Sequence, residues 1–268
     1  MLLTLKLVLV PAFLAALTAA ARVWGPSVAG WLAGLPVVAG SIVLLLALER
    51  GPSFAAQASA ASIAAIAASE AFNFAYAWSC RRVGWPLALV AGLAGWLALA
   101  LLLVHLPDSP GWAVAAACVA VAVSQSGLPR VTGHVPAARV GLADLAVRML
   151  AGALLTVAVT TLSASMGATW SGLLSVFPLL GIVLAVSAQR AHGADFVALL
   201  MRGMVIGRAS FAAFFAVTAA MLPRYGVWLS FACAALVSIA VQGTTRRMLG
   251  ARRPTQAVTR ELAAQQVE

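Results

Sequence analysis

The chain has 268 residues, 63% of them hydrophobic and 9% charged, with 17 Lys and Arg against 7 Asp and Glu and a formal net charge of +10 at pH 7. A soluble domain of this length carries neither that apolar fraction nor recurring apolar runs of about 18 residues, so the composition predicts an integral membrane protein of all-α class. The basic excess would point to nucleic acid in a soluble chain, but here it lies in short loops and a tail, where membrane orientation accounts for it; membrane lipids, and not nucleic acid, are the expected partners.

Apolar runs between Gly, Pro and Arg breaks predict a polytopic bundle of about nine transmembrane helices, near 4–21, 26–48, 53–79, 85–106, 111–126, 144–165, 170–188, 195–222 and 227–243. Helices follow from run length, from Ala and Leu richness, and from the need to satisfy every backbone amide within one segment. The first run, with Lys6 and Ala19-Ala20-Ala21, also fits a secretory signal with its cleavage site. The second carries Pro36 in mid-span, and the third carries Ser53 and Gln57 near its start and Glu70 and Asn73 one turn apart on one face. The fifth run is short and bounded by Pro110 and Pro129, and an interfacial or re-entrant piece is its alternative. The seventh carries Pro178; the eighth carries Arg202, Arg208 and Ser210.

Laid over itself at an offset of 142 residues, the chain matches at Gly30/Gly172, Leu32/Leu174, Pro36/Pro178, Gly51/Gly193, Phe54/Phe196, Ala56/Ala198, Phe72/Phe214, Arg82/Arg224, Gly84/Gly226 and Leu87/Leu229. The offset maps the first four spans onto the last four and leaves 111–126 unmatched. An even-numbered repeat returns the chain to its starting side, so one extra crossing inserts the second copy upside down. The expected organisation is a first four-span repeat over 1–108, a linking helix and loop over 109–142, a second, inverted repeat over 143–245, and a basic cytoplasmic tail over 246–268. The same alignment sets 2–23 against 144–165, inside the chain, which favours a true first span over a cleaved signal.

Charge supplies a second argument. With the N-terminus outside, the inner face receives Arg22, Arg81, Arg82, Arg130, Arg139, Arg148, Arg190, Arg246, Arg247, Arg252, Arg253 and Arg260, and the outer face only Lys6, Arg50 and Arg224. Twelve against three places the C-terminus in the cytoplasm, and an even span count would scramble the tally. Trp24, Trp78, Trp85, Trp112 and Trp170 fall at span ends and read as interfacial anchors. The four arginines between Arg246 and Arg253 fit topological retention first and lipid headgroups second. Cys80, Cys118 and Cys233 are odd in number and lack metal-ligand spacing, so no disulfide framework and no metal is expected.

The stretch from Arg22 through Leu103, with Gly30-Trp-Leu-Ala-Gly-Leu-Pro36, Glu49-Arg50-Gly51 and Arg82-Val-Gly-Trp-Pro-Leu-Ala-Leu89, resembles the small GlpM-type inner-membrane proteins. Those are short single-copy proteins associated with efficient alginate production. The resemblance implies two copies fused through an extra helix, in a bacterial inner membrane, with an accessory part in envelope polysaccharide synthesis. The second half keeps Pro178, Gln189-Arg190, Gly193 and Gly226 but has no acid beside Arg190.

Polar residues inside apolar spans are the candidates for function. Pro36 and Pro178 each remove a backbone donor and free a carbonyl one turn earlier, and paired Gly/Pro interruptions at matching positions point to a midplane site built from helix ends; packing kinks are the plainer alternative. Glu70 and Asn73 correspond to Ala212 and Phe215, and Arg202 and Arg208 to Ala60 and Ile66, so negative charge sits on one copy and positive on the other. An unpaired charge in hydrocarbon costs at least about 2.5–3.5 kcal/mol, so these groups face inward and find partners. One reading makes Arg202 and Arg208 a clamp for an anionic group with Glu70 as counter-ion or proton carrier. The other makes a static pair that fixes the register of the halves, with Arg202 snorkelling to the interface. Gln57, Ser53 and Ser210 either line a polar path or serve helix packing.

His105, His134 and His192 are isolated, and no His-Glu-x-x-His, Cys-x-x-Cys or nucleotide-binding Gly-x-x-x-x-Gly-Lys loop occurs, so neither enzyme chemistry nor a cofactor is expected. The expected function is a secondary transporter or flippase for an anionic small molecule or lipid-linked intermediate. Its rival is an accessory protein with no transport of its own. A cavity at Glu70 and Arg208 separates the two.

Overall fold

In the computed structural model the described residues are 2–105, 109–131 and 141–251, and they are helical nearly throughout. Helix α1 (Leu2–Trp24) is followed by α2 (Pro26–Ala33) and α3 (Val37–Arg50), then α4 (Pro52–Ser79), α5 (Trp85–Val104) and α6 (Pro110–Gly127). Beyond residues 132–140 come α7 (Leu142–Ser165), α8 (Ala168–Ser175), α9 (Leu179–His192), α10 (Ala194–Tyr225) and α11 (Val227–Ala251). Eleven helices cover the nine anticipated segments, because two segments are each split in two. Five pieces are long and apolar enough to cross a membrane: Pro26–Arg50, Trp85–Val104, Ala168–His192, Ala194–Tyr225 and Val227–Thr245.

The punctuation is chemical. Pro26, Pro52, Pro86 and Pro110 stand in the first turns of their helices, where a missing N–H costs nothing and φ is already helical. Gly51 and Gly193 occupy φ +91° and +82°, a region that admits Gly readily, and each turns the chain from one helix directly into the next. The split segments are alike in length: eight residues, a three-residue gap, fourteen residues. The gaps are Gly34-Leu35-Pro36 and Val176-Phe177-Pro178, and each proline caps the helix that follows.

Two long helices organise the packing. Helix α4 lies against α3, α5, α6, α8 and α10, and α10 lies against α2, α9 and α11 as well as α4. Several pairings recur between elements 142 residues apart: α2 on α10 and α8 on α4, α3 on α4 and α9 on α10, α5 on α4 and α11 on α10. Close approach depends on small residues. A Cβ at Gly30 of α2 would collide with the Leu200 carbonyl of α10, one at Gly34 just past α2 with Gly207 of α10, and one at Gly172 of α8 with the Ala58 carbonyl of α4.

Helix α4 falls outside the five apolar spans because its surface is small and polar rather than greasy. Its neighbours on several sides leave 16 of its 28 residues buried, so it faces protein, where Ala and Ser pack closely. Helix α1 packs on α7, α2 and α3 as part of the bundle. Helix α6 is an 18-residue helix along α4, and its apolar stretch Gly111–Gly127 is shorter than the five spans. The basic segment assigned to a tail from residue 246 begins inside α11, which runs to Ala251; residues 252–268, like His134, lie outside the described residues.

Candidate anion site between the split helices

One face of α4 presents Ser59, Ser62, Ile66, Ser69, Asn73 and Tyr76, spaced alternately three and four residues and all at most 1% exposed. That spacing keeps a single seam along a helix. The positions 142 residues on, Met201, Met204, Arg208, Phe211, Phe215 and Thr218, form a buried seam on α10. The two seams are complementary. Where α4 is polar, α10 is mostly apolar, and where α4 has its one apolar residue, Ile66, α10 has Arg208.

Arg208 reaches from α10 to α4. Its Nε donates to Glu70 Oε1 at 2.6 Å and its Nη2 donates to Ser69 Oγ at 2.6 Å. The guanidinium carbon also stands 5.5 Å from the centroid of the Phe211 ring. Asn73 Nδ2 donates to the same Glu70 Oε1 at 3.1 Å, which leaves one carboxylate oxygen carrying both contacts. Glu70 Oε2 and Asn73 Oδ1 are buried without a hydrogen-bond partner. In a low-dielectric interior an unpaired acceptor is costly, and these two lie together beside the Arg208 contact.

A cavity of about 40 Å³ opens beside this pair, room for a few water molecules. Its wall contains Ser69 and Arg208, Leu35 from the first helix break, and Val176, Phe177 and Pro178 from the second. The first turns of α3 and α9 also border it, through Val38 and Ala39 and through Leu179, Leu180 and Gly181. Helix N-termini present N–H groups that lack intrahelical partners and favour negative charge, as does the guanidinium. The Pro36 and Pro178 carbonyls accept from Gly40 and Ile182, so the breaks restart as helices, and the first N–H of α9, that of Leu179, donates to the Phe177 carbonyl. Arg208 and Ser69 thus meet both breaks around one small space, with Glu70 and Asn73 immediately behind.

Not every candidate belongs there. Arg202 is six residues from Arg208 on α10, about 9 Å along the axis and on another face, and its Nη1 donates to the Leu128 carbonyl at the end of α6. The expected two-arginine clamp is therefore a single arginine; Arg202 closes an orphaned helix-end carbonyl. Gln57 and Ser53 are exposed on α4 and line no internal path. Ser210 is buried but bonds the Gly207 carbonyl and Gln242, whose amide donates to the Trp31 carbonyl; this ties α11 to α10 and α2.

Polar contacts extend the seam beyond the cavity. The Ser62 and Ser175 hydroxyls stand 2.8 Å apart, and each has the Gly172 carbonyl as a further acceptor within reach. At the other end Tyr76 donates to Gln189 Oε1, and Gln189 donates to the Cys80 and Val83 carbonyls beyond the end of α4. Ser62, Ser69, Ser175 and Gln189 went unassigned from sequence, where isolated serines in Ala-rich helices carry no signal. The alternating spacing of Ser62 and Ser69 with Asn73 on α4 was the available clue.

No family model, curated protein or solved structure matches this chain. The class defined by the described residues is an all-helical bundle with five helices long and apolar enough to span a membrane, and the site it encloses is a buried arginine at the meeting point of two split helices.

Proposed function

We propose that the protein is a secondary transporter that moves a small anion across a bacterial inner membrane, with the space between the two split helices as its substrate site. The observation that carries this reading is the roughly 40 Å³ cavity where a buried arginine and the first turns of α3 and α9 converge. A dry structural ion pair needs no such space. In this conformation the cavity admits a small anion and not the headgroup of a lipid-linked intermediate, so the small-molecule alternative is preferred.

The architecture proposed with it is two inverted repeats of four spans joined by α6, giving nine crossings with the N-terminus outside and the C-terminus in the cytoplasm. Support comes from the recurrence of helix pairings at the 142-residue offset and from the matched lengths of the split segments. Inverted repeats supply two mirror-related conformations around one fixed site. A fused pair of GlpM-like units remains the proposed origin.

Glu70 favours a second reading. It is 1% exposed and does not line the cavity, as a static pin between α4 and α10 would be, and this suits an accessory protein of envelope polysaccharide assembly. Purified protein in liposomes separates the two. Uptake of chloride, nitrate or formate above protein-free vesicles, abolished by Arg208→Gln, is the expected result; no uptake of any probe by folded protein favours the accessory role.

A further inference from the structure

The site at Arg208 is electrically neutral, one guanidinium against one carboxylate, and it lies in the interior of a bundle. A monovalent anion that binds Arg208 must displace Glu70 Oε1 from Nε or share the guanidinium with it. Either way the buried site would hold a net negative charge, a state strongly penalised where the dielectric is low. Neutrality is restored if one positive charge enters with the anion.

The structure also marks where that charge would go. Glu70 Oε2 and Asn73 Oδ1 are both buried acceptors with no donor, on residues already joined by the Asn73 Nδ2 to Glu70 Oε1 hydrogen bond. A proton on Oε2 turns that oxygen into a donor and gives Asn73 Oδ1 an available partner, so a single proton can satisfy two orphaned atoms. A sodium ion is a poorer fit, because it needs five or six oxygens, whereas the orphaned oxygens at this point are two and the adjoining side chains include Phe72 and Pro178 beside Gly181.

We infer that Glu70 is the coupling site for protons, and that each anion bound at Arg208 is accompanied by one proton taken up on Glu70 and held against Asn73, making the protein a proton-coupled anion symporter. The inference rests on the anion reading above. In the exchange the Arg208 Nε–H to Glu70 contact breaks, the guanidinium turns to the incoming anion, and a solvated proton from the side the anion enters adds to Oε2. The site goes from Arg⁺ and Glu⁻ to Arg⁺, anion and neutral Glu, with zero net charge in both states.

Among the described residues, no charged side chain other than Arg208 lines the cavity. Helices α5 and α8 contain no charged or titratable residue, and α6 only the exposed Cys118. On α3 the charged pair Glu49 and Arg50 is at the far end of the helix, as Arg190 and His192 are on α9. On α10, Arg202 is engaged with Leu128, and Asp195 and Arg224 are in the terminal turns. On α4 itself Tyr76 is bonded to Gln189.

The test combines anion binding with the state of the carboxyl. Chloride, nitrate and formate are titrated calorimetrically into detergent-solubilised protein across pH, in potassium and in sodium buffers. The expected result is apparent affinity that falls tenfold per unit rise in pH, with about one proton taken up per anion and no sodium dependence, and affinity in Glu70→Gln that is flat with pH because its amide already satisfies Asn73. Binding that is independent of pH in the unaltered protein, or dependent on sodium, overturns the coupling. Infrared difference spectra between Arg208→Gln and Glu70→Gln/Arg208→Gln provide a readout that needs no anion. A protonated carboxylic acid band assigned to Glu70 is expected, and an ionised carboxylate there overturns the proton site. The band present with no probe binding overturns the anion reading alone, and if Arg208→Gln does not fold, the pH profile of Glu70→Gln decides.

Discussion

Gly172 of α8 lies against the backbone carbonyl of Ala58 in α4, so closely that a Cβ there would collide with it. The residues 142 positions away, Gly30 of α2 and Leu200 of α10, stand in the same relation. These contacts seat each short half-helix on the long helix opposite and so set the position of the two breaks. Gly30→Ala and Gly172→Ala are each expected to destabilise the protein in detergent, by comparable amounts of about 1–3 kcal/mol, because backbone must give way rather than a side-chain end. Thermal unfolding checks this. Two unaffected variants would mean that the close approach has no part in the fold.

Glu70 and Arg208 are a buried pair, and removal of one partner strands the other. In the absence of added small anions, Glu70→Gln and Arg208→Gln should each lower stability by about 3–5 kcal/mol, and the double variant should lose less than the sum. A double-mutant cycle from unfolding midpoints measures the coupling; strict additivity of the two losses contradicts the contact.

Cys80 follows the end of α4 and its thiol is pushed up to about 11, chiefly by burial. The thiolate is the nucleophile, so below that pH the reactive form is scarce. With Cys118→Ser and Cys233→Ser removing the other two thiols, alkylation of Cys80 should be slow at pH 8 and quicken about tenfold per pH unit up to about pH 11. A rate that levels off near pH 9 would show the thiol to be solvated.

How much of this was legible beforehand differs by residue. The span limits were, because Pro26 and Pro52 open helices and Gly51 and Gly193 turn the chain at positive φ between them. Glu70 and Arg208 also stood out, since a charge in an apolar run has few places to go. Ser62, Ser69 and Gln189 did not, because nothing in an Ala-rich helix says which face meets another helix until the neighbours are placed. The same gap left Arg202, Gln57 and Ser53 with two readings each: polarity was visible, facing was not. Arg202 in particular is distinguished from Arg208 only by the position of Leu128, 74 residues away.

The orientation is tested by reporter fusions. A cytoplasmic reporter should be active at Glu268 and an external one after Asp108, because in the proposed arrangement α6 adds the crossing that inverts the second half. Both positions reporting the same side would remove the inverted arrangement.

The central claim, one site reached alternately from both sides, is tested most directly at Ala39, which lines the cavity and is 5% exposed. Ala39→Cys, in a background of Cys80→Ala, Cys118→Ser and Cys233→Ser, is treated with a membrane-impermeant thiol reagent applied to either face of oriented vesicles. Slow labelling from both faces, suppressed on each by a small anion that the protein binds, is expected. Labelling from neither face, or from one face only with no protection, would contradict the account and leave a static pair at the heart of a non-transporting bundle.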